Sequence, residues 1–277
     1  MTHARETQRG ERFEFGANWS RFLSVVDETR IHEAEHSLRT FLDVSDLEGR
    51  SFLDVGCGSG LFSLAARRLG ATVHSFDYDP RSVACAQELK RRFLPDDTGW
   101  TIEEGSVLDR DYTASLGKFD VVYSWGVLHH TGNMMKALEN AAIPVRAGGY
   151  LFIALYNDQD LWSVFWKKVK QTYCGTRVGK YAVVGSFVPI FALQSVAIGI
   201  LKYRSPLGKF RQYKKSRGMS VFHDWIDWLG GFPFEVAKPE AVLAFYRSRG
   251  FVLTKIATTN RLGCNQYVFQ KERVARG

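Results

Sequence analysis

An apolar run, Ser51-Phe-Leu-Asp-Val55, enters a glycine cluster, Gly56-Cys-Gly-Ser-Gly60, and continues into Leu61 to Leu69, which is helical in period and stops at Gly70. A short strand that turns directly into a helix buries both its faces only when other strands and helices cover it. Glycines in that turn allow positive φ and let a ligand lie against backbone N–H groups at the helix N-terminus.

The same alternation repeats downstream. Thr72 to Phe76 reads as a strand, Pro80 opens a helix to Phe93, and Trp100 to Glu103 and Phe119 to Tyr123 read as strands. A helix around Met134 to Ala142 and a strand from Tyr150 to Leu155 follow, which gives five strands before residue 156. Ahead of them, Glu28 to Val44 has amphipathic helical spacing. After about eighty residues of different character come a helix from Pro239 to Arg249 and strands at Phe251 to Ala257 and Gln266 to Gln270. The early connections are long enough for crossovers, whereas the last two strands are close enough to pair antiparallel. The expectation is an α/β fold with helices on both faces of the sheet and a helical insertion after strand five.

Four elements converge at the carboxyl ends of these strands, where open α/β sheets bind ligands. They are the glycine turn, Asp77 at the end of the second strand, Glu104-Gly-Ser106 after the third, and the loop from Trp125 to His130 after the fourth. A carboxylate at the position of Asp77 can accept both hydroxyls of a ribose. The six-residue dinucleotide form of the glycine turn is absent, since residue 61 is Leu and residue 63 is Ser.

Phe52-Leu-Asp-Val-Gly-Cys-Gly-Ser-Gly60, Phe76-Asp-Tyr-Asp-Pro80, Glu104-Gly-Ser106 and Phe119-Asp-Val-Val-Tyr-Ser-Trp-Gly-Val-Leu-His-His130 together resemble the class I S-adenosylmethionine-dependent methyltransferases. The likeness is greatest to the small-molecule group that includes the ubiquinone-type O-methyltransferases, over residues 50 to 156 and more loosely 238 to 271. It implies a Rossmann-like seven-stranded sheet with the last strand antiparallel, in agreement with the pattern above. It also implies S-adenosyl-L-methionine as cofactor. Gly56, Gly58 and Gly60 would cradle its methionine part, and Asp54 would order the turn and the amino group. Asp77 would take the ribose hydroxyls, and Ser106 with the backbone of Val107 would meet the adenine edge. Many relatives carry Asp at the position of Ser106.

A sulfonium methyl is already electrophilic, so the protein has to align the acceptor and, for a hydroxyl, remove a proton. His129, His130 and His223 are the candidate bases, with Asp224 and Asp227 near the last. Methylation of nitrogen or carbon, or cofactor binding without turnover, remains open at this point. The loop after strand four reads Ser124-Trp-Gly-Val. It lacks the Asn/Asp-Pro-Pro-aromatic sequence of enzymes acting on exocyclic amines of DNA bases. It also lacks the paired glutamates of protein arginine methyltransferases, so neither nucleic acid nor arginine is the expected substrate.

The chain carries 37 Lys and Arg against 29 Asp and Glu, a net charge of +8. Twelve of the basic residues and no acidic one lie between Leu161 and Ser220, so the excess belongs to one segment. Inside it, Ala182 to Leu201 holds no charge over twenty positions, long enough to span a bilayer. A single crossing would leave the strands before and after it on opposite sides, and Pro189 and Gly199 suggest a broken or paired helix. The expected roles are a lid over an apolar acceptor such as a quinone or other lipid-like molecule, peripheral membrane contact through 160–220, or an oligomer contact.

The expected organisation is an N-terminal segment, 1–50, covering the cofactor cleft, a core at 51–156 and 238–277, and the insertion at 157–237. Phe13-Glu-Phe-Gly-Ala-Asn-Trp19 places three aromatics ahead of the first long helix, and Trp19 is the candidate for excluding water from the sulfonium. The four cysteines are widely spaced, with no C-x-x-C pair, so neither a metal site nor a disulfide framework is expected. The charged, apolar-poor beginning of the chain points to the cytosol, with contact on the inner membrane face left open.

Overall fold

The computed structural model describes residues 3–16, 19, 22–207, 221–260 and 262–273. Its centre is a seven-stranded sheet: β1 (Ser51–Val55), β2 (Thr72–Asp77), β3 (Trp100–Glu104), β4 (Phe119–Trp125), β5 (Val145–Tyr156), β6 (Phe251–Ala257) and β7 (Cys264–Lys271). The spatial order is β3-β2-β1-β4-β5-β7-β6. The first five strands run parallel to one another, and β7 runs antiparallel to both β5 and β6. This is the Rossmann-like arrangement expected from the sequence, including the direction of the last strand.

Helices cover both faces. After α1 (His3–Gln8) come α2 (Glu28–Leu42), α3 (Leu61–Arg68) and α4 (Pro80–Phe93), and one core joins α2 and α3 to the sheet through Ile31, Leu38, Phe52, Leu64 and Phe152. Asp27 caps the start of α2 by accepting the N–H of Arg30, and Asp43 closes it in the left-handed conformation. The opposite face holds α5 (Arg110–Ser115), α6 (Met134–Ala142) and α10 (Pro239–Arg247), around Leu53, Val122, Leu138, Ile153 and Tyr246. The six-residue α5, started by the carboxylate of Asp109, is too short for periodicity to reveal.

The insertion contains α7 (Leu161–Gly175), α8 (Arg177–Tyr203) and α9 (Val221–Gly230). Helix α8 is continuous through Pro189 and packs against α7, so of the broken or paired helix expected there the structure has the paired one. A proline removes one helical hydrogen bond; here the residue four positions earlier is Gly185, which has open space where a Cβ would be. Gly199 makes room for the returning chain: a Cβ there would lie 2.7 Å from the carbonyl oxygen of Ser205. A third core, Trp166, Val169, Tyr173, Val183, Leu229 and Phe234, ties the three helices together and packs against Phe13 and Tyr156. The insertion thus sits over the carboxyl end of β5.

Candidate active site

The turn after β1 is built on left-handed glycines, with φ of 77° at Gly56, 55° at Gly58 and 80° at Gly60. A side chain at Gly56 would put its Cβ 2.3 Å from Val127 Cγ1, so both backbone angle and space demand glycine. At Gly58 the neighbour is the indole of Trp19, whose Cε2 lies 3.0 Å from the position a Cβ would take. The N-terminal segment therefore reaches the glycine turn itself.

Two carboxylates organise this turn. Asp54 is buried and accepts from Ser63 Oγ at 2.5 Å; Ser63 meets Ser75 at 2.7 Å, and Trp100 Nε1 donates to Ser75 at 2.8 Å. Burial pushes the Asp54 carboxyl up to about 7, opposed by the Ser63 hydrogen bond. Asp77 accepts the N–H of Gly58 with one oxygen and that of Asp79 with the other, both at 2.9 Å. Burial raises it to about 6 against the pull of those amides. A carboxylate has about four acceptor positions, so Asp77 retains capacity for hydroxyl groups. Ser106 makes a local turn, its Oγ accepting from Leu108 N at 3.2 Å. Val107 is buried, and its carbonyl accepts from Asn140 Nδ2 at 2.8 Å.

Sequence reasoning did not find the ties that fasten residues 3–16 across these strand ends. Gly16 N donates to Asp79 Oδ2 at 2.9 Å, and the Tyr78 hydroxyl donates to Glu6 at 3.1 Å. Arg12 bonds Glu6 at 2.7 Å and donates to the carbonyls of His130 and Thr131 at 2.8 and 3.3 Å. Its guanidinium also lies 5.2 Å from the centre of the Tyr78 ring. Only the run of aromatics at 13 to 19 signalled this segment in the sequence.

The two adjacent histidines are placed differently. His129 is wholly buried, its ring tilted against that of Tyr156 with centres 4.0 Å apart, with Nδ1 accepting the Tyr156 amide at 3.3 Å and Nε2 without a hydrogen-bond partner. His130 donates from Nδ1 to the carbonyl of Pro233 at 2.6 Å, which leaves Nε2 as the ring's proton acceptor. Burial holds His129 well below the usual histidine range and lowers His130 to about 3. The charges of Lys170 and Arg12 also lower His130, so its ring is neutral near pH 7.

Aromatic side chains surround the pair. Phe15 lies 4.8 Å from His130, and Tyr156 meets Phe234 at 5.2 Å and Trp228 at 5.8 Å between ring centres. Lys170 from α7 is fully buried, bonds the carbonyl of Trp228, and lies 4.2 Å from that ring's centre. His223 belongs to α9, but its side chain, like those of Asp224 and Asp227, lies outside the described residues. Among the described residues no cluster of His, Cys, Asp and Glu is arranged to hold a metal ion.

The residues fit an adenosyl sulfonium ligand at the turn. The left-handed glycines keep the turn free of side chains, the buried carboxylate of Asp54 and the half-buried one of Asp77 supply negative charge beside it, and the Trp19 indole lies on Gly58 where a side chain would be.

A model of the methyltransferase domain matches residues 26–188, more than half of the chain. The ubiquinone biosynthesis O-methyltransferase of Agrobacterium fabrum (strain C58 / ATCC 33970) is 32% identical over 111 residues, 40% of this chain and 42% of that protein. The ribosomal protein L11 methyltransferase of Methylococcus capsulatus (strain ATCC 33009 / NCIMB 11132 / Bath) is 40% identical over 77 residues, 27% of this chain and 26% of that protein. The chain therefore matches less than half the length of these curated relatives. Among solved structures, magnesium protoporphyrin IX methyltransferase of Synechocystis PCC 6803 with bound S-adenosylhomocysteine superposes with a TM-score of 0.51 at 16% identity, covering 87% of this chain and 82% of that one. The extent of the domain match and the sheet order agree: the chain belongs to the class I S-adenosylmethionine-dependent methyltransferase family.

Proposed function

We propose that this chain transfers a methyl group from S-adenosylmethionine to a hydroxyl of a small, partly apolar metabolite. The observation that carries the reading is the glycine turn, whose Gly58 amide is held by Asp77 beside the buried carboxylate of Asp54. In this reading Gly56, Gly58 and Gly60 receive the methionine part, Asp54 faces its ammonium group, Asp77 takes the ribose hydroxyls, and Ser106 and Val107 border the adenine. Trp19 offers its ring face and excludes water from the sulfonium.

The cofactor supplies an activated methyl group when bound. His130 is the base: its Nδ1–H is committed to the Pro233 carbonyl, so Nε2 can take the hydroxyl proton as the acceptor oxygen is alkylated. His129, turned toward the backbone of β5, is a positioning residue that sets Tyr156 and the loop. The insertion is the acceptor lid, with Trp228 and Phe234 forming an apolar wall beside Tyr156. That wall and the likeness to a ubiquinone O-methyltransferase favour a quinone-like or other lipid-like acceptor.

Calorimetry with S-adenosylmethionine and S-adenosylhomocysteine tests the first half. Labelling of a cell extract by the purified chain and methyl-labelled cofactor tests the second. Absence of binding by either ligand to folded protein overturns the reading. A labelled product bearing its methyl on nitrogen or carbon overturns the hydroxyl assignment.

A further inference from the structure

Helix α8 turns its apolar side outward. Of its residues only Gly179, Val183, Ser195 and Gly199 are buried, whereas Val178 is 79%, Leu193 71% and Leu201 84% exposed. Positions 178, 182, 185, 189, 193, 197 and 200 advance in steps of three and four, so they lie along one side of the helix. That stripe reads Val-Ala-Gly-Pro-Leu-Ala-Ile, with no polar side chain, and every member is exposed. At 1.5 Å per residue it runs for about 33 Å. The start of α7 adds Leu161 and Trp162, 84% and 64% exposed. Twelve of the seventeen large exposed hydrophobic side chains among the described residues fall between 161 and 207. The outer face of a surface helix is ordinarily polar, and a contiguous apolar patch of this extent marks a docking surface.

Charge decides what docks. Lys167 and Lys168 are exposed on α7, Arg177, Lys180, Lys202 and Arg204 are exposed at the two ends of α8, and no Asp or Glu occurs between Leu161 and Ser220. A second copy of the same face would set cation against cation, whereas an anionic lipid surface sets cation against phosphate. Helix α8 is the one helix among the described residues long and apolar enough to cross a membrane, yet the topology keeps it on one side. Asn157 and Ala237 form a parallel bridge where the insertion leaves and rejoins the core, and β5 pairs with β7 through Tyr156 and Cys264.

We propose that the outer face of α7 and α8 lies flat on an anionic lipid–water interface. The stripe sinks among the upper acyl carbons, Trp162 sits at headgroup depth, and the flanking ammonium and guanidinium groups hold lipid phosphates. Trp166, facing inward from α7, packs 5.4 Å from Trp228 beside Tyr156. Docking then brings the acceptor wall next to the bilayer; this last consequence, unlike the docking, rests on the function proposed above.

The test is flotation of the full chain with vesicles of pure phosphatidylcholine and of equal parts phosphatidylcholine and phosphatidylglycerol. The chain floats with the anionic vesicles, and high salt releases it. Replacing Lys167, Lys168 and Lys180 by Ala, singly and together, lowers the partition coefficient roughly fivefold per charge. Leu161→Ser with Leu193→Ser and Leu201→Ser lowers it at least tenfold. Should that variant misfold, quenching of wild-type emission by brominated lipid, lost in Trp162→Phe, reads the same contact. Equal binding to neutral vesicles, or no binding to anionic ones, overturns the proposal. So does a dimer in sedimentation equilibrium that the triple Ser variant disperses without any vesicle binding. Cofactor calorimetry is read separately, so loss of docking and loss of methyltransferase function are distinguishable.

Discussion

Asp77 Oδ2 accepts the amide of Gly58 at 2.9 Å, so the carboxylate that ends β2 holds the turn that follows β1. Asp77→Asn keeps the size of the side chain and removes its charge. A hydrogen bond to a charged group contributes about 1.5–3 kcal/mol, so cofactor affinity falls by roughly 10- to 150-fold in calorimetry. An affinity within twofold of wild type separates Asp77 from the binding site.

The carboxylates of Asp54 and Asp77 give binding a pH dependence with a definite sign. Asp54 and Asp77 titrate at about 7 and about 6 in the folded chain, above the ordinary aspartate value near 3.9. Between about pH 4 and 7 the folded state keeps protons that the unfolded chain releases, so their contribution to stability declines as pH rises through that window. A cationic ligand favours the ionised forms, so cofactor affinity rises over the same interval and levels off above about pH 7. Asp54→Asn raises the melting temperature at pH 8 while weakening binding and flattening its pH profile. Thermal scans and titrations at several pH values check both signs.

The two histidines separate in kinetics. His130→Ala lowers kcat by roughly 10²- to 10⁴-fold, with cofactor affinity unchanged by calorimetry. With the cofactor saturating, kcat of the wild type shows no acid limb near pH 6.5 from this base, because His130 is neutral down to about pH 3. His129→Asn instead lowers the melting temperature, since it disturbs the packing around Tyr156, and leaves the pH profile in place. Equal losses of kcat from both variants with unchanged stability contradict the assignment.

Gly56→Ala strains the turn twice. The left-handed backbone costs about 1–2 kcal/mol for an L-residue, and the added methyl meets Val127. A fall in melting temperature is expected, and Val127→Ala in the same chain recovers the steric part alone. Full recovery in the double variant shows that the backbone angle costs nothing.

The sequence made the sheet legible because its signals are local: apolar runs of strand length, glycine turns, and Asp79-Pro80 opening α4. Asp54, the three glycines and Asp77 are legible for the same reason, each within a few residues of a strand end. The N-terminal ties are not, because Arg12 meets a carbonyl 118 residues away and stands in a charged run that reads as solvated. Nor does the sequence separate His129 from His130. Their roles depend on the carbonyl of Pro233, 103 residues beyond His130, at the close of the insertion. Pro189 is ambiguous in the sequence, since it fits a broken or a paired helix; packing through Val183 and Phe187 against α7 goes with the paired, continuous form.

The bridge between Asn157 and Ala237 makes the insertion a module with a fixed footprint. Because its two stems stay side by side, evolution can lengthen, shorten or recharge the eighty residues between them without shifting a single register in the sheet. Under the function and the docking proposed above, acceptor choice and lipid contact could then change while the donor half is left alone.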